Sequence, residues 1–335
     1  MTTMLRTMVL ITILTMANIE AGSAQSRTEV LLVANQGDHT ISLLDPASGN
    51  LLKNVRTNGD HAHEIAVSPD ARLAYLPIYG DSGVGRPGTD GRTIEVLDFA
   101  THTITHIIDL GRPTRPHWAG FGADGMLYVS AELAEAMDVI DPKTLKVVAS
   151  IPTGAPQSHM VVFSHDGTRA YTSNVNKGSV SVLDLAARKL IKVIPVSETA
   201  QRISISADDQ FVFTADQTQP RMALIDTHQL KVSRWIDLPS VGFGSTATPD
   251  GKWLLVTLPQ TDQIAVIDLA SSKLVQTVAV PSHPQEILVR RDKPIAYVSC
   301  NQSGKVVVLN LQTWKIERAF TAGPGADGLA LAIGR

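Results

Sequence analysis

The chain has 335 residues, of which 44% are hydrophobic, 18% charged and 5% aromatic, with a formal net charge of -3. That is globular composition with enough apolar material for a large core, and without a basic excess no nucleic-acid partner is expected. Cys300 is the single cysteine, so no internal disulfide exists and burial has to hold the fold.

The first element is a leader. Arg6 precedes the apolar run MVLITILTMANI, Glu20 ends it, and AGSAQ supplies Gly22 and Ala24 at cleavage spacing. A basic start, a short apolar core and a small-residue exit describe a secretory signal peptide over residues 1–24. The run is shorter than the ~20 residues a spanning helix takes, so no membrane span is expected after cleavage. The expected product is a monomer in the periplasm or outside the cell, covering residues 25–335.

Next comes EVLLVANQGDHTISLLD, residues 29–45, two strand-like runs around a polar turn. From NGDHAHEIAVSPD (58–70) onward a unit repeats. Its turn aspartates are Asp70, Asp124, Asp166, Asp208, Asp250 and Asp292, spaced 54 residues apart once and 42 thereafter. Asp45, Asp98, Asp141, Asp184, Asp226, Asp268 and Asn310 end a second series of strands in the same register. Each period holds four short runs rich in β-branched and aromatic residues, such as HMVVFS, RAYTSN, SVSVLD and KLIKVIPV, parted by HDG- or NKG-type turns. Four strands per ~40–45 residues is a propeller blade.

The start of the array lacks a first strand, and the C-terminal ADGLALAIG, residues 326–334, is a first strand with nothing after it. The expected fold is therefore one all-β domain, a seven-bladed β-propeller. Its C-terminal strand completes the N-terminal blade and removes the open edges. YLPIYG, YVSAEL, YTSNVN and YVSCNQ, each followed by a VLD- or VID-like strand, resemble the repeats of the YVTN (YncE-like) family of bacterial seven-bladed propellers. The resemblance covers nearly the whole mature chain. It implies this architecture and leaves activity open, because such propellers include lactonases, electron-transfer subunits and metal carriers.

Function-bearing residues gather at one aligned position. Seven residues before the turn aspartates stand His63, His117, His159, Gln201, Phe243 and Gln285, and the C-terminal strand offers Asp327 there. Three imidazoles and a carboxylate at the channel mouth are zinc- or copper-type ligands, so His63, His117, His159 and Asp327 are the expected divalent-metal set. His61 and His283, two residues upstream, share their face as weaker ligands. Glu64 and Glu286, one step on, point elsewhere if the strands are regular; Glu64 is the candidate base of a catalytic site. Arg115 and Arg202 are candidate contacts for a bound small polar molecule. So are Tyr79 and Asp81, at the start of a Gly- and Pro-rich insertion of about 12 residues within 79–92. The expected function is an exported propeller binding a metal ion or small polar ligand at its His-rich mouth. The alternatives are a metal-assisted, lactonase-like hydrolase or lyase at the same site, and a protein-interaction scaffold. No GxSxG, CxxCH or HExxH is present.

Overall fold

The structure, a computed structural model, describes residues 29–84 and 86–334. The expected leader and its cleavage point lie outside the described residues. Among the described residues the strands form seven four-stranded antiparallel sheets, and one 3-10 turn occurs at Glu132–Ala134. The protein is a seven-bladed β-propeller.

Blade 1 is built from both ends of the chain. Ala326–Ile333 is its inner strand and pairs with Glu29–Asn35, followed outward by Thr40–Leu44 and Leu51–Arg56. The register sets Glu29 opposite Ile333, Val33 opposite Leu329 and Asn35 opposite Ala326, which is the expected closure. The other blades run outward in chain order. Their inner strands are Ala66–Val67, Pro116–Phe121, Ser158–Phe163, Ala200–Ile205, Ser245–Ala247 and Pro284–Val289.

Both aspartate series have a local cause. The carboxylates of Asp45, Asp98, Asp141, Asp226 and Asp268 accept backbone N–H groups two or three residues on, closing the turn into the outer strand. Asp70, Asp166, Asp208 and Asp250 each accept the hydroxyl two residues earlier: Ser68, Ser164, Ser206 or Thr248. That fixes the turn from inner to second strand. These bonds preserve the repeat even where apolar residues vary.

Middle strands are buried almost throughout, as in Arg169–Asn174 and Ser179–Asp184. Their side chains pack against the neighbouring blade. Leu32, Leu43 and Ala330 of blade 1 meet Leu76 and Ile78 of blade 2, while Phe213 and Leu224 of blade 5 meet Leu254 and Val256 of blade 6. Burying one such side chain contributes about 1.5–3 kcal/mol, so the ring is held by a sum of inter-blade cores.

The inner strands are irregular in a way that decides the site. Pairing slips between Pro116 and Ala119, Ser158 and Val161, Ala200 and Ile203, and Pro284 and Ile287. A slip of this kind breaks the two-residue alternation of side chains at the channel entrance. In blade 2 the inner strand begins only at Ala66, so His63 and Glu64 precede the regular pairing.

Candidate functional site

The aligned residues converge at the channel mouth. The rings of His63 and His117 lie 4.6 Å apart and those of His117 and His159 3.6 Å apart, centre to centre. His63 Nδ1 is 3.3 Å from Asp327 Oδ2. Gly328 permits this closeness: its N–H donates to the His63 carbonyl at 3.0 Å, and a Cβ there would sit 2.1 Å from that oxygen.

A second tier comes from the ends of the second strands and supplies Gln36, Tyr79 and Glu132. Gln36 Nε2 lies 2.7 Å from His63 Nδ1 and donates to Asp327 Oδ2. Tyr79 is 1% exposed, its hydroxyl donates to Glu132 Oε2 at 2.8 Å, and its ring meets those of His63 and His117 edge-on. Glu132 Oε2 is also 3.4 Å from His159 Nδ1.

At the centre stands a guanidinium. Arg202, 5% exposed, reaches Glu64 at 2.9 Å and Asp327 at 2.7 Å, with the Phe243 ring 5.0 Å from its central carbon. Glu286 completes the cluster, accepting the Leu329 N–H at 2.6 Å. Three carboxyl groups thus surround one cation. Burial pushes Glu64 well above the ordinary carboxyl range, and the facing Glu286 adds to it. Burial likewise raises Glu286 to about 7. For Asp327 burial works upward too, but Arg202 and His63 outweigh it and hold the group below its ordinary value. Burial is also the main reason that His117 falls well below, and His159 below, the ordinary imidazole value; both are neutral at neutral pH.

These facts bear on the expected metal centre. The four proposed ligands are neighbours, yet among the described residues no three His, Cys, Asp or Glu side chains are disposed to hold one ion. Asp327 is engaged by Arg202, Gln36 and His63, and the three imidazole rings lie tilted against one another, at 35° between His63 and His117 and 36° between His117 and His159. Of the weaker ligands, His61 stacks on His39 at 5.3 Å and meets the His63 ring edge-on at 6.2 Å, and the His283 backbone N–H donates to Asp262 at 2.8 Å.

Other expectations are also corrected. Glu64 and Glu286 do not point away; the irregular entrance turns both toward Arg202. Glu64 is 4% exposed and serves as a charge partner, not as an accessible base. Asp81 is an exposed loop residue whose carboxylate accepts the Thr89 N–H, so it shapes the insertion. Arg115 clamps that loop. Its Nε is 2.5 Å from Asp90 and its Nη2 donates to the Arg86 carbonyl at 2.8 Å, while Nη1 stays 3.8 Å from Glu132. Among the buried polar atoms, Glu132 Oε1 and His117 Nδ1 have no hydrogen-bond partner.

On the other side of the mouth, blades 5–7 flank a half-open cavity of about 330 Å3 lined by Gln201, Gln217, Phe243, Gln260, His283 and Gln285. Gln36, Glu132 and Gln217 escaped the reading of the inner strands alone. The signal that finds them is the residue directly after the RAYTSN-type strand, which faces the same mouth from the neighbouring tier.

No protein-family profile matches the chain. It is similar to the uncharacterized protein YncE of Salmonella typhi and of Salmonella typhimurium, 25% identical over 198 residues, which is 57% of this chain and 56% of each relative. It is also similar to the dihydro-heme d1 dehydrogenase of Pseudomonas aeruginosa, 29% identical over 230 residues, 61% of this chain and 44% of that one. The chain spans about half the length of the curated relatives it matches. Among solved structures, hydrazine synthase of Kuenenia stuttgartiensis superposes with a TM-score of 0.71 at 18% identity, covering 84% of this chain and 92% of that one. That likeness is one of fold.

Proposed function

We propose that this propeller is an exported binding protein that takes a small polar organic molecule at the mouth of its channel. One observation carries the reading. Two tiers of aligned side chains turn polar at one end of the channel, where buried His117 Nδ1 has no hydrogen-bond partner and Glu132 Oε1 has none closer than the Arg115 guanidinium at 3.8 Å. A buried polar atom without a partner costs about 1–3 kcal/mol, so the fold keeps such atoms where something else meets them. The insertion clamped by Arg115 borders these groups, and the cavity between blades 5–7 gives a ligand room. Export rests on the leader-like residues 1–24, and the state in solution is a monomer. No helix of the described residues is long and apolar enough to cross a membrane.

The dehydrogenase named above is matched over less than half its length, so its activity is not carried over. Native mass spectrometry of untagged protein from the cells that export it tests the reading. A small molecule at one per chain, reduced in Glu132→Gln, is the expected result. Bare protein in both forms would refute ligand binding, and an intact Met1 in the exported form would refute the leader.

A further inference from the structure

The cavity between blades 5–7 restricts the ligand's chemistry, an inference that rests on the mouth-binding reading above. No carboxylate, lysine or arginine lines it. Its one ionisable side chain is His283, so a charged ligand would find no permanent counter-ion, and an apolar one would leave four glutamine amides facing nothing. An amide side chain carries one acceptor and two donors side by side, and it pairs edge to edge with a ligand group of the same donor–acceptor pattern. Gln217 is already oriented: its Nε2 donates to the Gly242 carbonyl at 2.8 Å, which keeps its oxygen as an acceptor. Among the described residues, no side-chain hydrogen bond engages the amides of Gln201, Gln260 or Gln285.

Phe243 adds a flat wall, and its ring has the Arg202 guanidinium 5.0 Å away. A cation over one face draws electron density from the ring. The face left for the cavity then favours an electron-rich π system over the polarised C–H groups of a sugar. The volume, about 330 Å3, stands at the small end of the range for ligand pockets, about 300–1,000 Å3. We propose that this cavity binds an uncharged planar heterocycle with adjacent hydrogen-bond donor and acceptor atoms, of the nucleobase type. Its amide edges pair with the glutamines and its face stacks on Phe243.

Calorimetric titration of the full mature chain with adenosine, guanosine, cytidine and uridine, each with its free base, tests this, with D-glucose and maltose in parallel. Binding of at least one nucleoside or base is expected, and the free-base arms show whether the ribose contributes. Phe243→Leu should weaken that binding about ten-fold or more, since stacking on an aromatic ring is worth about that much. Phe243 packs on Arg202, so Gln260→Leu, at an exposed position, provides a variant without risk to folding, and a loss of about five-fold is expected. Saccharide binding in preference to every base, no nucleoside or base binding, or unchanged affinity in both variants would overturn the proposal. If a different ligand co-purifies with the protein while no base binds, the heterocycle is refuted and the mouth-binding reading stands.

Discussion

Arg202 of blade 5 crosses the channel to Asp327 of blade 1, Nη2 to Oδ1 at 2.7 Å, while its Nη1 lies 2.9 Å from Glu64 of blade 2. One side chain of blade 5 thus ties the strand that closes the ring to blade 2. Its desolvation is offset only because carboxyl groups from different blades meet it together. Arg202→Met should destabilise the protein by about 3–5 kcal/mol, because it leaves buried acidic groups without their cation. Urea denaturation of the two proteins checks this; a loss below about 1 kcal/mol would mean the contact is incidental.

The same cluster sets a pH dependence. Glu286 rises from 4.5 unfolded to about 7 folded, so the folded state holds a proton that the unfolded state has released between those values. Its contribution to stability is full below pH 4.5 and is lost as pH rises through about 7. Glu64, also raised, extends the loss in the same direction. His117 and His159 act oppositely: their lowered values cost stability as pH falls below the ordinary imidazole range. Glu286→Gln should therefore flatten the fall of Tm on the alkaline side and leave the acid side unchanged. A parallel offset of the two curves at every pH would contradict this.

Tyr79→Phe removes the donor at 2.8 Å from a carboxyl group that is 1% exposed. A loss of about 1–3 kcal/mol is expected in thermal or urea unfolding, since the acceptor stays buried. His228→Ala, at an exposed turn before the outer strand of blade 5, is the comparison and should lie within about 0.5 kcal/mol of the parent.

Deleting residues 326–335 strips blade 1 of its inner strand and exposes the unpaired edge of Glu29–Asn35. Aggregation or a large fall in Tm should follow, seen by light scattering and calorimetry. A truncated chain that melts with the parent would mean that the ring does not depend on this closure.

The fold was legible because its signals are periodic and local: an aspartate that closes a turn recurs wherever that turn recurs. Ring closure followed from one missing strand and one surplus strand. The convergence of His63, His117, His159 and Asp327 was legible for the same reason, since they share a register. Their chemistry was not. Strict alternation turns Glu64 and Glu286 away from the channel, and only the irregular pairing at the strand entrances brings them to Arg202. Gln36 and Glu132 lie after a different strand and meet the histidines only in three dimensions, so neither spacing nor residue type in the first tier pointed to them. Arg202 reads from the sequence as a contact for a small polar ligand, and its pairing with Asp327 and Glu64 emerges only once the blades opposite it are in place.

We propose that the mouth histidines belong to a hydrogen-bonding site organised by Arg202 and Glu132, and not to a metal centre. Calorimetric titration of zinc and copper into the tag-free protein, alongside the His63→Ala/His117→Ala double variant, tests it most directly. The account predicts the same weak surface binding in both proteins, with no one-to-one site that the double variant lacks. One equivalent of either metal, bound tightly by the parent and lost in the double variant, would contradict it.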